Sequence, residues 1–254
     1  MTSNEKPVIV IIPGAWHVPA HYAHLALKLN ANGYTVDCIE SSSTSDEKDL
    51  PEDSWKEDIS IIRNAITSHT EAGRDVAVVM HSFGGMAGSE AACGLGKKTS
   101  ETSGRVVKMI YMSAFMLKEG GRRSDFGHNE DWPNIARVDD EQNPKMLLAL
   151  DPMHYFYHDV PEQMSQRAID NLCGMPLAHV MSFPSKVAWR EIPTAYIICE
   201  DDRALTKNGQ EQMINAVKAE GVNVETTSLK ASHSPFLSMP GETAKAIRGF
   251  LEKA

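Results

Sequence analysis

A serine hydroxyl is a poor nucleophile near neutral pH. It needs a base to take its proton and an acid to orient that base. Three stretches of this sequence carry those residue types. The first is Asp75-Val-Ala-Val-Val-Met-His-Ser-Phe-Gly-Gly-Met-Ala-Gly88, where a valine-rich run stops at His81-Ser82 and two glycines open a small-residue segment of helical period. That is the layout of a nucleophile elbow, a buried strand turning sharply into a helix with one serine at its apex. The second is Cys199-Glu-Asp-Asp-Arg203, directly after an apolar run, and the third is Ala231-Ser-His-Ser234. The elbow arrangement requires the chain order serine, acid, histidine. Ser82, Asp202 and His233 meet that order, with Asp202 preferred over Glu200 and Asp201 as the acid. Such a serine would attack a carbonyl, so two convergent N–H groups should receive the resulting oxyanion. Phe83, next after the nucleophile, would supply one. The loop Pro13-Gly-Ala-Trp-His17 would supply the other through Ala15, with Gly14 permitting the close turn. His81 is expected to pack within the elbow rather than to titrate.

These segments need a scaffold that delivers them to one edge. Val8–Ile12 is a continuous β-branched run, as in a strand covered on both faces. A helix is expected over 21–29, closed by Asn32-Gly33, then a strand over 34–39 and a polar surface loop over 41–53. Trp55, Ile59, Ile62 and Ile66 mark one face of a helix that stops near Gly73. The elbow strand (75–81) and elbow helix (84–95) follow, then strands over 106–112, 194–199 and 222–227. Strand and helix alternating in this way imply a mostly parallel sheet with crossover helices. No antiparallel hairpin precedes Val8. Residues 115–190 break the rhythm: they are rich in proline, methionine and aromatics and lack a clear strand. They read as a mostly helical cap inserted into a core formed by 1–114 and 191–254.

Bulk properties narrow the function. The 254 residues carry a formal net charge of -9, which argues against nucleic acid and anionic membranes as partners. The polar first residues do not read as a signal peptide, and the run Val8–Ile12 is too short to span a bilayer. The 4 cysteines are scattered without metal-ligand spacing, which suits free thiols in a reducing, cytoplasmic setting. No metal site and no cofactor motif is found.

The pieces Gly14-Ala-Trp-His17, His81-Ser-Phe-Gly-Gly-Met86, Tyr111-Met-Ser-Ala-Phe-Met116, Tyr196-Ile-Ile-Cys-Glu-Asp-Asp202 and His233 span the expected sheet in order. Together they resemble the α/β-hydrolase superfamily, and within it the plant methylesterase and hydroxynitrile lyase group and its microbial relatives. The resemblance implies Asp202 as the acid and Ala15 with Phe83 as the oxyanion donors. The similar lyases carry threonine at the position of Gly14, glutamate at that of His81 and lysine at that of Ser234, so all three positions here are esterase-like. Pro13 stands where the group has histidine, Met80 where it has glycine, and Ser232 where it often has aspartate. Met80 is bulky, so it is expected to crowd the strand–helix approach and open the elbow slightly.

The expected activity is metal-free hydrolysis of a carboxylic ester or lactone through an acyl-enzyme. The alternatives are a lyase, dehydratase or cyclase on the same scaffold, or a slow-turnover binding protein, because a fold does not fix chemistry. Trp16, His17, Phe115, Tyr155, Phe156 and Trp189 are the expected substrate-binding residues, with Phe126 and Trp132 as further aromatics of the cap. Trp16 either walls the pocket or packs under a helix. Adaptable thioethers and rings would suit a mid-sized apolar or aromatic substrate, though many of them would also form the cap's own core. A homodimer is compatible with an apolar cap edge.

Overall fold

A computed structural model describes residues 5–42, 54–122, 135–139 and 142–252. Phe126, Trp132 and most of the polar stretch 41–53 lie outside the described residues.

Among the described residues, six strands form the central sheet: β1 (Val8–Ile12), β2 (Val36–Cys38), β3 (Val76–His81), β4 (Val106–Met112) and, after the cap, Thr194–Cys199 and Val224–Leu229. The cap contributes β5 (Ala136–Asp139), β6 (Asn143–Ala149) and β7 (Met175–Pro176), so the last two core strands are β8 and β9. The order across the sheet is β2-β1-β3-β4-β8-β9, and every described pairing within it is parallel. The alternation read from the sequence therefore gives the expected architecture, with the first described strand at Val8.

Strand period sorts the core into two faces. Val8, Val10, Ile12, Val76, Val78 and Met80 point into one apolar cluster. There they meet Ile62 and Ile66 of α2 (Ser54–Glu71), Met86 and Ala87 of α3 (Gly84–Ala91), and Met213 and Ile214 of α6 (Lys207–Lys218). Ile9, Ile11, Ala77 and Val79 point the other way, onto Leu25 and Leu29 of α1 (Ala23–Asn30) and Ile247 and Phe250 of α8 (Pro240–Leu251). The shorter helices α4 (Pro152–Tyr155) and α5 (Glu162–Asp170) belong to the cap, and α7 (Pro235–Ser238) follows the last strand. Each fully buried aliphatic side chain stabilises the fold by about 1.5–3 kcal/mol relative to exposure. β1, β3 and β8 are buried at every position, whereas the edge strand β9 alternates, which is why the central strands read as unbroken apolar runs.

Several boundaries differ from the sequence reading. A 3-10 turn (Pro19–Tyr22) precedes α1, because Pro19 supplies a helix start but the i→i+4 ladder forms only from Ala23. The elbow helix ends at Ala91 rather than 95, and Gly94 follows with a φ of 77°. β9 starts two residues late, after Gly221, whose φ is 83°.

The cap is the main correction: among its described residues a small sheet stands beside short helices, so these are not mostly helical. β5, β6 and β7 pair antiparallel in a small sheet with β6 in the middle. Met146-Leu-Leu-Ala149 are good helix formers in isolation, and pairing on both sides overrides that preference. Pro176 sits on the edge strand β7, where a missing N–H costs little. Among the described residues, no helix is long and apolar enough to cross a membrane, and none of the four cysteines forms a disulfide.

Candidate active site

β3 ends at His81, and the backbone turns at Ser82, whose φ is 50°. This left-handed conformation is uncommon for a residue with a side chain and persists only where the surroundings over-determine it. Here the Phe115 and Gly85 N–H groups both donate to the Ser82 carbonyl, at 3.0 and 3.1 Å. The room for Met80 comes from Gly88, one helical turn into α3: a Cβ there would lie 2.8 Å from the Met80 Sδ. The bulk that the sequence places two residues before the serine is thus accommodated by a glycine on the facing helix.

The structure brings Ser82, His233 and Asp202 together at the C-terminal ends of β3, β9 and β8. Ser82 Oγ lies 2.9 Å from His233 Nε2, and His233 Nδ1 lies 2.7 Å from Asp202 Oδ2. A carboxylate oxygen only accepts, so His233 carries its proton on Nδ1 and leaves Nε2 free to accept the Ser82 O–H. The Ala204 and Leu205 N–H groups hold Asp202 Oδ1, each at 2.8 Å. Glu200 and Asp201 are exposed, and Glu200 pairs instead with Lys207 at 3.2 Å.

A second network backs this row. The Gly14 N–H donates to the Tyr22 hydroxyl at 3.1 Å, and that hydroxyl lies 2.8 Å from His81 Nδ1. His81 Nε2 faces the backbone carbonyl of His233 at 3.0 Å. A carbonyl accepts, so His81 is protonated on Nε2 and takes the Tyr22 O–H on Nδ1. His17 follows the same logic: its Nδ1–H donates to the Ala15 carbonyl at 2.7 Å, and its Nε2 accepts from Tyr157 at 2.9 Å. Burial, then the neighbouring His21, holds His17 well below the ordinary imidazole range. Burial, then His233 and His17, does the same to His81. Both are neutral spacers, and burial pushes Tyr22 well up, so it stays a hydroxyl donor.

The loop after β1 approaches the elbow closely. A Cβ on Gly14 would stand 2.7 Å from His81 Nδ1 and 2.8 Å from the Ser82 Cβ. The Gly14 carbonyl accepts from the His17 N–H at 3.2 Å, and the peptide is planar and trans, so the Ala15 N–H points the opposite way. Ala15 and Phe83 both line the pocket that contains Ser82 and His233.

The rest of that pocket is apolar: Trp16, Phe115, Phe156, Ile135, Met175, Ala204 and Leu205. Trp16 both walls the pocket and anchors the cap: its ring stacks on Phe156, and its Nε1–H donates to the Leu147 carbonyl of β6 at 2.9 Å. Three residues expected at the substrate do not line this pocket. His17 is buried behind it, held by the two bonds above. Trp189 is buried in the first core cluster, with its Nε1–H on the Leu117 carbonyl at 3.0 Å. Tyr155 packs into the opposite cluster. In each case the ring's apolar area is better covered by the core than by a cleft.

Sequence reasoning missed Ser113, Tyr22 and Gln210. Gln210 is fully buried on α6 and staples the acid loop: its Oε1 accepts from the Cys199 N–H at 3.0 Å, and its Nε2–H donates to the Leu205 carbonyl at 2.7 Å. A lone glutamine ahead of Met213, Ile214 and Val217 on an apolar face was the available signal. For Ser113 the signal was its place just past the end of β4, where parallel sheets present functional groups.

The model of the Alpha/beta hydrolase family matches residues 9–246. Alpha/beta hydrolase nvfD of Aspergillus novofumigatus is 33% identical over 246 residues, covering 96% of each chain. Among solved structures, polyneuridine aldehyde esterase superposes with a TM-score of 0.79 at 17% identity, covering 97% of this chain and 99% of its own. A methylesterase protein, MES16 from Arabidopsis, superposes with a TM-score of 0.73 at 17% identity, covering 97% and 100%. At these identities the two structural likenesses speak for the fold.

Proposed function

The chain belongs to the alpha/beta hydrolase family, and on that premise we propose that it is a serine hydrolase cleaving a carboxylic ester or lactone through an acyl-enzyme. The observation that carries the proposal is the continuous row from Ser82 Oγ through His233 to Asp202 Oδ2, at 2.9 and 2.7 Å.

In the reaction, His233 Nε2 takes the Ser82 proton as Oγ attacks the substrate carbonyl. The developing oxyanion is received by the Ala15 and Phe83 N–H groups, the first oriented by the peptide geometry at Gly14 and the second at the start of α3. Asp202 keeps the Nδ1–H tautomer and stabilises the imidazolium. His233 then protonates the leaving oxygen, and an alcohol departs or a lactone ring opens. Water, deprotonated by His233, attacks the acyl-enzyme and releases the acid and Ser82. The rings of Trp16, Phe115 and Phe156 around Ser82 support an apolar or aromatic substrate of moderate size.

The test is turnover of a panel of aryl esters and aromatic lactones. Ser82→Ala should lower kcat by at least roughly 10³-fold on any compound that the wild type hydrolyses. Full turnover by Ser82→Ala would overturn the proposal.

A further inference from the structure

Ser113 follows β4 and is fully buried. Its φ is 43°, in the region that disfavours a residue with a side chain. Among the described residues four non-glycines have positive φ, and Trp16, Ser82 and Ser113 are three of them. Trp16 and Ser82 line the pocket, while Ser113 stands behind it. A strained backbone at a functional site invites the question of what the strain secures.

It secures a contact with the acid. The Ser113 hydroxyl bonds Asp202 Oδ2, and its oxygen lies 3.2 Å from His233 Nδ1. Because the carboxylate only accepts, the Ser113 O–H is the donor. Asp202 Oδ2 therefore receives Ser113 and His233 as its two close donors, with the Gln210 Nε2–H farther off at 3.5 Å, while Oδ1 is taken by two backbone N–H groups.

We propose that Ser113 is a positioning residue for the hydrolytic reaction, fixing the lone pair of Asp202 Oδ2 that His233 does not use and drawing part of that oxygen's charge away from the imidazole. The proposal rests on the triad reading above. Two consequences follow from the shared oxygen. Without Ser113, His233 is free to slide across Oδ2, so its Nε2 is less often aligned with Ser82 Oγ. Without Ser113, the carboxylate also holds the imidazolium more tightly, so the acid-side midpoint of the Ser82 reaction moves to higher pH.

The other titratable groups around the pair do not obscure that signal. His81, whose ring centre lies 4.7 Å from that of His233, is held neutral by burial, as is His17. Burial pushes the Cys199 thiol, which contacts Ser113, well up, and does the same to the Tyr196 hydroxyl. Asp159 approaches through the loop before His233, where it accepts the Ser232 N–H at 2.9 Å.

The test uses Ser113→Ala and Ser113→Gly. Glycine is the residue that a φ of 43° favours, so it removes the hydroxyl without adding strain. The rate of Ser82 labelling by a fluorophosphonate, in which fluoride leaves phosphorus as the Ser82 proton passes to His233, is followed between about pH 5 and pH 9. Both variants should label roughly tenfold more slowly at neutral pH. The acid-side midpoint of the rate should move up by about half a pH unit in both, with melting temperatures near that of the wild type. A merely structural role would leave the midpoint in place. Wild-type rates and an unmoved midpoint in the folded variants would overturn the proposal while the triad reading stood. Failure of the wild type to label at all would overturn the triad reading and this proposal with it.

Discussion

The His81 imidazole donates from Nε2 to the backbone carbonyl of His233 at 3.0 Å, so the residue just before the nucleophile holds the loop of the base, 152 positions away in the chain. The same ring accepts from Tyr22, which in turn accepts from the Gly14 N–H. One buried side chain thus couples the oxyanion loop, the elbow and the base loop.

His81→Leu fills the space with an apolar side chain but leaves the Tyr22 O–H without its acceptor and the His233 carbonyl without its donor, although the Gly14 N–H still reaches the Tyr22 oxygen. Two buried hydrogen bonds lost in this way should cost about 2–4 kcal/mol in urea unfolding. Fluorophosphonate labelling of the remaining folded protein should also slow, because the His233 backbone loses its anchor. A variant as stable as the wild type would show that His81 only fills space.

Gly14→Ala places a Cβ 2.7 Å from His81 Nδ1 and 2.8 Å from the Ser82 Cβ. Neither neighbour is the loose end of a flexible chain, so the oxyanion loop must shift. The expected result is a loss of about 1–3 kcal/mol of stability and at least roughly tenfold of the labelling rate. Wild-type labelling by this variant would place the oxyanion donors elsewhere.

The pH dependence of stability has a defined sign. His17, His81 and His21 are all depressed in the folded state, chiefly by burial. The unfolded chain therefore binds more protons than the native one once the pH falls below about 6.5, the ordinary histidine value. The stability these residues contribute is fully present above that pH and is lost as the pH falls below it. Urea unfolding between about pH 8 and pH 5 should show the decline, and His17→Gln should flatten its slope by about one proton's worth. An equal slope in wild type and variant would show that His17 is not held neutral.

The elbow, the acid loop and the base were legible because their signals are local. An unbroken valine run ends in His-Ser-x-Gly-Gly, and two short loops close later strands in the required order. The choice of Asp202 from three adjacent acids is supported by the family resemblance, and in the folded chain Asp202 is buried where Glu200 and Asp201 are exposed. What stayed hidden depends on partners far along the chain. Trp16 meets Leu147 across 131 positions, and His17 meets Tyr157 across 140. Nothing near Met146-Leu-Leu-Ala149 announces a strand, since its β identity comes from neighbours at 136–139 and 175–176. Trp189 and Tyr155 were placed at the substrate because aromatic residues serve cores and clefts equally well, and composition does not separate the two.

The central claim is that Ser82 is an activated nucleophile and that His233 activates it. Its most direct test is fluorophosphonate labelling with peptide mapping of the wild type and of His233→Ala. The account predicts a single label on Ser82 in the wild type and its loss in the variant, with both proteins folded. Labelling of Ser82 at the wild-type rate without His233, or no label on Ser82 in the folded wild type, would contradict it.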